Sequence, residues 1–113
     1  MQKPRSLKES SIVVMVTCPD SKNAEKIALS LTKKKLAACV NIISGIKSIY
    51  RWKGKVEEAS ENLMIIKSKK RLLTKIIQEV RLNHPYQVPE IISFPIAGGL
   101  QEYLQWLAKE TGE

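Results

Sequence analysis

The stretch 37-AACVNIISGIKSIYRWKGKVEEASENLMIIK-67 decides the fold of this chain. Both sides of its Lys53-Gly54 dipeptide are rich in β-branched and aromatic residues, which predicts one long β-hairpin that turns at this point. Apolar side chains recur at alternate positions of the first arm, as in a strand with a buried face. These positions are Val40, Ile42, Ile46, Tyr50 and Trp52. The alternation predicts one continuous apolar row along the arm.

The arms of this hairpin are long for a protein of this size. An arm of about 12 residues at ~3.3 Å per residue reaches roughly 40 Å, whereas a compact chain of this length has a diameter of roughly 30–35 Å. The tip therefore extends beyond its own subunit. It carries Tyr50 and Trp52, whose large side chains are seldom left in water. We predict an oligomer in which Tyr50 and Trp52 pack on a neighbouring subunit.

One strand and one helix are predicted before the hairpin. Ser11–Thr17 is a nearly continuous apolar run, which is typical of a central strand. Asp20 or Ser21 can cap a helix, whose apolar residues recur at helical spacing to about Lys35. The first ten residues, MQKPRSLKES, have no apolar segment of the signal-peptide type. We therefore expect a flexible tail over residues 1–10.

A second helix, a fourth strand and a C-terminal helix are predicted after the hairpin. Ser68 is a candidate N-cap for the second helix, and Pro85 ends that helix because the residue before a proline avoids the helical conformation. Ile91–Ile96 has the composition of a strand, with Pro95 at its end or at a sheet edge. A glycine pair then precedes a short amphipathic helix.

The order of elements is βαββαβ with an additional C-terminal helix. This order is typical of an α+β ferredoxin-like fold, also described as a split βαβ, in which two helices cover one face of an antiparallel sheet. We assign a single domain to residues 11–113. The second face of the sheet has no helices in this arrangement, so water or another subunit covers it.

Composition and charge exclude several classes of protein. Apolar residues make up 43% and charged residues 27% of the 113 residues, as in ordinary globular proteins, and the longest apolar run is too short for a membrane span. The formal net charge of +8 favours anionic partners. The basic residues are scattered, however, and no nucleic-acid motif accompanies them, so we expect no nucleic-acid partner. The two cysteines form no C-x-x-C pair, which indicates a reduced, cytoplasmic protein unless a targeting segment has been removed.

Few residues of the chain are candidates for chemistry. No combination of side chains forms a recognisable catalytic motif, so we expect no enzyme. Cys18 lies beside Pro19 at the end of the first strand, and it is either an ordinary strand-end residue or an accessible thiol. His84 follows a helix end, in a loop that also supplies Tyr86 and Glu90. His84 is therefore either a helix-terminal residue or a ligand.

The hairpin also contains charged and glycine residues with predictable roles. Glu57, Glu58 and Glu61 of the second arm are expected to pair with basic residues across the hairpin, although these carboxylates are also candidates for loose binding of a cation. Those basic residues are Lys47, Arg51, Lys53 and Lys55. Gly45 and Gly54 are expected at turns or bulges, where their conformational freedom is needed.

Four segments of the chain belong together between about Ile12 and Leu107, namely KKKLAACVNIISGIKSIYRWKGKVEE, ENLMIIKS, NHPYQVPEII and YLQWL. In their order and spacing they resemble the CutA family of divalent-cation tolerance proteins. The resemblance implies a tight homotrimer in which the hairpin contributes to the sheet of a neighbour. It also implies a role in tolerance of copper and other divalent cations.

The same resemblance implies a metal site. Some bacterial members have a cysteine at the position of Val16 and a histidine at that of Asn83, proposed as ligands together with the glutamate that is Glu90 here. Only Glu90 is retained in this chain, and His84 is the nearest imidazole. We therefore expect weak binding of copper(II) or another divalent cation through His84, Glu90 and Cys18.

Two alternative functions remain open. The family fold is similar to that of the PII signalling proteins, which bind small anionic ligands in clefts between subunits, so the chain could be a sensor of an anionic metabolite. Its cleft would be lined by Lys67, Tyr86, Tyr103 and Trp106, although these aromatic residues could equally seal the trimer. The second alternative is a trimeric scaffold for partner proteins.

Overall fold

The computed structural model describes residues 10–112, and that part of the chain contains a four-stranded sheet and three α-helices. The strands are β1 (Ser11–Cys18), β2 (Cys39–Trp52), β3 (Lys55–Lys69) and β4 (Ile91–Pro95), and the helices are α1 (Ser21–Lys33), α2 (Leu73–Asn83) and α3 (Gln101–Lys109). Neighbouring strands are antiparallel, in the order β2-β3-β1-β4. The predicted α+β order of elements is confirmed, with β1 and β3 at the centre of the sheet.

The predicted tail falls almost entirely outside the described residues, because these begin at Ser10; residue 113 also lies outside them. The carbonyl of Ser10 accepts a hydrogen bond of 2.8 Å from the backbone N–H of Lys70, so Ser10 is attached to the end of β3. No helix within residues 10–112 combines the length and the apolar character that crossing a membrane requires.

The hydrophobic core lies between the sheet and helices α1 and α2. Side chains alternate along a strand, and the even-numbered residues of β1, such as Val14 and Val16, are fully buried on the helical side. Ile27 and Leu31 of α1 and Ile76 of α2 are also fully buried in this cluster. Because burial of one such side chain contributes about 1.5–3 kcal/mol, this layer holds the two helices on the sheet.

The two core helices begin differently. Asp20 caps α1, and its carboxylate accepts a hydrogen bond of 2.8 Å from the Asn23 N–H. The prediction that Ser68 caps α2 is wrong, because pairing with β1 extends β3 through this position. The buried hydroxyl of Ser68 donates instead to the Leu36 carbonyl at 2.7 Å. A 3-10 turn at Lys70–Leu72 precedes α2, which begins without a side-chain cap.

Two prolines end elements as predicted. Helix α2 ends at Asn83, and His84 before Pro85 is extended, with φ −100° and ψ 134°. Pro95 is the last residue of β4, which among residues 10–112 pairs only with β1 and is therefore an edge strand. Neither proline removes a hydrogen bond from the interior of the sheet.

The hairpin turns at Lys53-Gly54, as predicted. Trp52 pairs with Lys55 across the turn, and the φ angles of Lys53 and Gly54 are 51° and 81°. Two consecutive positive φ angles give the two-residue turn that matches the twist of antiparallel strands. Glycine adopts such an angle without the steric penalty of a Cβ atom. The turn therefore fixes the register of the outer hairpin, by which we mean residues 46–61.

A β-bulge interrupts β2 at Ser44-Gly45. The register shifts between Ile43 and Ile46, so that Ser44 and Gly45 together lie opposite the single residue Asn62 of β3. The φ angle of Gly45 is 75°, a value that residues with a Cβ rarely adopt. The bulge role predicted for Gly45 is therefore confirmed.

The bulge divides the apolar row that the sequence predicted as continuous. Ile42 pairs with Met64, whose side chain is fully buried in the core. Beyond the bulge, Tyr50 pairs with Glu57. Glu57 and Met64 are an odd number of positions apart along β3, so their side chains lie on opposite faces of the sheet. Because paired residues share a face and successive residues alternate, Tyr50 and Trp52 point away from α1 and α2. The prediction of one continuous row is wrong for this reason.

The outer hairpin extends well beyond the rest of the chain. The molecule measures 55 × 26 × 22 Å, which confirms the prediction that the hairpin is longer than its domain. Strand β1 ends at Cys18, opposite Asn62, so no third strand from residues 10–112 pairs with the hairpin beyond this point. Ile49 and Val56 in this two-stranded part are 62% and 64% exposed. An isolated two-stranded hairpin is only marginally stable in water.

Helix α3 packs against β1 and β3. Its Leu107 is fully buried but lies outside the core cluster beneath α1 and α2. Tyr103 of the same helix lies beside Cys39, which pairs with Lys67 on the sheet face turned away from those helices. Helix α3 therefore covers part of the face that the other helices leave open.

A buried carboxylate connects α1 to α2. Glu79 accepts hydrogen bonds from the Ser30 hydroxyl, from the Lys34 ammonium at 2.9 Å and from the Asn83 side-chain amide at 3.4 Å. The Ser30 hydrogen bond first, and the Lys34 hydrogen bond second, lower the pKa of Glu79 from its ordinary value of 4.5. The folded chain therefore favours the ionised carboxylate.

Glu79→Gln should make the stability of the protein less dependent on acid. Because the folded-state pKa of Glu79 is lower than the unfolded-state value, its contribution is fully present above pH 4.5 and is lost as the pH falls through the folded-state pKa. We expect the variant to be less stable than the wild type by about 1–3 kcal/mol at neutral pH, and this difference should shrink in acid. Urea unfolding at several pH values measures it, with the exposed Glu25→Gln as control; a difference independent of pH would contradict the assignment.

Candidate functional site

A cleft of about 600 Å³ lies between the outer half of the hairpin and the loop 84–90 that follows α2. One wall comes from β2 and β3, because the bulge changes which side chains of the outer part of β2 lie on this side of the sheet. The loop supplies the opposite wall. The polar and aromatic residues that line the cleft are Thr17, Ser48, Tyr50, Trp52, Glu61, Tyr86, Gln87 and Glu90. Its size is in the usual range for ligand pockets.

Tyr86 attaches the loop to the hairpin. Its hydroxyl donates a hydrogen bond of 2.7 Å to Oε2 of Glu61, a residue that is only 6% exposed. Burial first, and this hydrogen bond second, raise the pKa of Tyr86. The phenol therefore remains protonated at physiological pH and serves as the donor to the Glu61 carboxylate.

Of the ion pairs predicted across the hairpin, one is present among the described residues. Lys47 Nζ lies 3.7 Å from Glu58 Oε1, and both side chains are exposed. The prediction that Glu61 pairs with a basic residue of the facing arm is wrong, because Glu61 lies opposite Ile46 and binds Tyr86 instead. Glu61 is thus a residue of the cleft rather than of the hairpin surface.

His84 holds the beginning of the loop against β1. Its Nε2 lies 2.7 Å from the carbonyl oxygen of Thr17, and its Nδ1 accepts a hydrogen bond of 3.2 Å from the Tyr86 N–H. A carbonyl can only accept and a backbone N–H can only donate, so Nε2 carries the proton and the ring is neutral. Both ring nitrogens of the buried His84 are therefore engaged within the chain.

Cys18 is equally enclosed. Its side chain is fully buried, and its sulfur lies 3.4 Å from the Met64 sulfur. Burial first, and the negative charges of Glu61 and Asp20 second, raise the pKa of the Cys18 thiol to about 11. Metal ligation requires the thiolate, and this environment disfavours it at neutral pH.

The predicted metal ligands do not assemble into a site within one chain. No group of three His, Cys, Asp or Glu side chains among residues 10–112 is placed to hold a metal ion. Both ring nitrogens of His84 have partners within the chain, and Cys18 remains a thiol. Their role as copper ligands stays a prediction. Glu90, by contrast, is exposed on the loop and free of these restraints.

Three of the four residues predicted for an anion-binding cleft lie near the other end of the sheet. The Lys67 ammonium donates to Oδ1 of Asn41, and Lys67 pairs with Cys39 across the strands. Tyr103 lies beside Cys39, and burial first and Cys39 second raise its pKa. The ring centroids of Tyr103 and Trp106 are 5.5 Å apart. These residues form one cluster around Cys39.

The fourth predicted residue, Tyr86, belongs to the cleft beside the outer hairpin. Its partner Glu61 and Lys67 are roughly 20 Å apart along β3, at ~3.3 Å per residue. The set predicted to bind an anion is therefore divided between two places within one chain.

Tyr50 and Trp52, the predicted contacts to a neighbouring subunit, both line the cleft of their own chain. They remain 44% and 42% exposed, so each retains surface that a neighbour can cover. Their contact with another subunit stays a prediction.

Sequence reasoning considers Glu61 for a charge pair of the hairpin or for loose cation binding, but does not place it in a cleft. Its neighbours along the chain indicate an exposed hairpin arm, and only the bulge reveals which face it occupies. The available signal was Gly45, since one extra residue in β2 changes which side chains lie opposite β3. Placing that bulge from the sequence would have put Tyr50, Trp52 and Glu61 on one face.

The chain matches the family described as CutA1 divalent ion tolerance protein over residues 12–110. The Protein CutA, chloroplastic, of Arabidopsis thaliana is 50% identical over 101 residues, which cover 89% of this chain and 56% of that protein. The Divalent-cation tolerance protein CutA of Thermus thermophilus is 47% identical over 100 residues, which cover 88% of this chain and 97% of that protein. The chain thus spans just over half the length of the plant relative.

Solved structures of similar proteins have the same architecture. The crystal structure of CutA1 from Oryza sativa has a TM-score of 0.90 at 48% identity. The match covers 93% of this chain and 96% of the Oryza sativa chain. The structure of the divalent cation tolerance protein (Cut A1) from Thermus thermophilus has a TM-score of 0.89 at 46% identity. The match covers 90% of this chain and 99% of the Thermus thermophilus chain. Sequence and fold agree along almost the whole chain, which therefore belongs to the CutA1 divalent ion tolerance protein family.

Proposed function

We propose that this chain forms a non-catalytic homotrimer that acts in tolerance of divalent cations such as copper(II). The observation that carries the proposal is the family match over residues 12–110, because the Thermus thermophilus relative is named for divalent-cation tolerance. A cytoplasmic location is part of the proposal, although the Arabidopsis thaliana relative is named chloroplastic and an Archaeoglobus fulgidus relative is described as periplasmic.

The outer hairpin supports assembly into an oligomer. Within the described part of the chain no third strand pairs with it, and it exposes most of the surface of Ile49 and Val56 on the face opposite Tyr50 and Trp52. A two-stranded hairpin with apolar side chains on both faces gains stability only when another surface covers them. The unpaired edges of β2 and β4 offer the backbone groups on which a neighbouring strand can be added. We propose the trimer as the arrangement that covers the exposed apolar side chains and pairs these strand edges.

Direct binding of the metal is expected to be weak. Copper(II) prefers imidazole and thiolate ligands, whereas His84 is committed to Thr17 and Tyr86, and Cys18 is buried as a thiol. The exposed carboxylate of Glu90 is the one predicted ligand that a cation can reach. We propose that Glu90 supplies this contact, with affinity limited by the lack of softer ligands.

Growth in rising copper tests the proposed function. Cells that lack their own CutA relative should tolerate a higher copper concentration when they express this chain than when they carry an empty vector. A variant that no longer assembles should give less protection at equal protein level, because the proposal requires the trimer. Equal tolerance with and without the wild-type chain would contradict the proposal.

The cleft gives little support to the alternative of an anion sensor. Among the described residues that line it are two glutamates and no lysine or arginine. An anionic metabolite would meet like charge in this cleft. For the scaffold alternative, exposed apolar side chains such as Leu29, Leu82 and Leu100 lie outside the hairpin and offer surface to a partner protein.

A further inference from the structure

The cleft beside the outer hairpin is negatively charged, although the chain as a whole carries a formal net charge of +8. Glu61 and Glu90 both line it, and no lysine or arginine does so among the described residues. Glu61 is almost completely buried, so its charge acts in surroundings that screen it less than water does. The local charge therefore favours a cationic ligand.

One oxygen of the Glu61 carboxylate remains available to such a ligand. The Tyr86 hydroxyl binds Oε2 at 2.7 Å, and no hydrogen bond from residues 10–112 reaches Oε1. A carboxylate can accept several hydrogen bonds. A charged donor in the cleft could therefore bind Oε1 without displacing Tyr86.

The walls of the cleft are aromatic. Tyr50 and Trp52 approach from the hairpin and Tyr86 from the loop, and between 37% and 44% of the surface of each is exposed. Faces of such rings attract organic cations. The Lys53 ammonium already lies 5.8 Å from the centroid of the Trp52 ring, so a cationic ligand competes with Lys53 for this ring.

We propose that this cleft binds a small organic ammonium ion, with Glu61 and Glu90 opposing its charge and Tyr50, Trp52 and Tyr86 surrounding its alkyl groups. Three aromatic side chains around a carboxylate suit an alkylated ammonium better than a bare metal ion, to which rings offer no ligand atom. The proposal goes beyond divalent-cation tolerance and does not depend on copper binding.

The experiment follows the two indole N–H resonances of the protein by NMR during titration with tetramethylammonium chloride. Trp52 lines the cleft, whereas Trp106 on α3 does not, so Trp106 is an internal control. We expect a saturable shift of the Trp52 resonance and no shift of Trp106. Equal amounts of tert-butanol, similar in size but uncharged, should move neither resonance.

Two matched variants test the role of charge. Glu61→Gln keeps an oxygen that can accept from Tyr86 but removes the buried charge, and it should weaken tetramethylammonium binding at least about fivefold. Glu58→Gln removes the same charge from the other face of β3, where the side chain is exposed, and should leave the affinity unchanged. Circular dichroism checks that both variants fold.

Several results would overturn the proposal. Absence of a saturable Trp52 shift, or an equal shift with tert-butanol, would remove the cation preference. An equal shift with magnesium chloride would make the cleft a general cation site that belongs to the proposed metal function. Binding seen only in a variant that no longer assembles would show that a second copy of this chain occupies the cleft.

Discussion

Aspartate at both Ile49 and Val56 should dissociate the assembly into single folded chains. The two side chains lie on the same face of the two-stranded hairpin, where Ile49 pairs with Glu58 and Val56 with Arg51. They are 62% and 64% exposed in the single chain. If a neighbour covers them, each contributes about 1.5–3 kcal/mol per subunit. A charge in their place loses this contribution and adds the cost of burying an unpaired carboxylate.

The subunit itself should survive this change. Its core lies between the sheet and helices α1 and α2 and contains neither residue. Far-ultraviolet circular dichroism should therefore remain close to that of the wild type, whereas the mass in sedimentation equilibrium should fall to that of one chain. Leu82→Asp is the matched control, because Leu82 is 80% exposed on α2. An assembly that resists the double substitution would place these side chains outside the interface.

His84→Ala should destabilise the protein and release the loop 84–90 without changing copper affinity. The substitution leaves the Thr17 carbonyl and the Tyr86 N–H without their partner, and an unpaired buried polar group costs about 1–3 kcal/mol. The loss should therefore be about 2–6 kcal/mol for the two groups, together with greater mobility of Tyr86. Urea unfolding measures the first effect, and amide hydrogen exchange in the loop measures the second.

Copper titration of the same variants separates structure from ligation. Gln87→Ala, an exposed change in the same loop, should leave both stability and copper affinity unchanged. Glu90→Gln should lower the copper affinity, since it removes the accessible carboxylate, but should have little effect on stability. A His84→Ala variant of unchanged stability that no longer binds copper would restore the imidazole as a ligand.

Local chemistry was sufficient for much of the fold. The Lys53-Gly54 turn, the helix end before Pro85 and the edge position of Pro95 each follow from the conformations that glycine and proline allow. Ser68 shows the limit of such reasoning. It is a good helix cap by type, yet pairing with β1 kept it in a strand, and strand pairing depends on residues far away in the chain.

The candidate site was less accessible to sequence reasoning. The cleft joins residues from β1, from both arms of the hairpin and from the loop after α2, so its composition depends on tertiary placement. The position of one extra residue at Ser44-Gly45 decides that Tyr50 and Trp52 share a face with Glu61. His84 was recognised as important by its type, but its role as a structural donor follows only from its contacts with Thr17 and Tyr86.

The mass of the wild-type protein in solution tests the central claim most directly, namely that the protruding hairpin exists to bind other copies of this chain. Sedimentation equilibrium at low micromolar concentration measures this mass without a label or a partner. We predict the mass of three chains over the whole concentration range. The mass of a single chain would contradict the account, because Ile49, Val56 and the outer halves of Tyr50 and Trp52 would then be exposed to water without any partner.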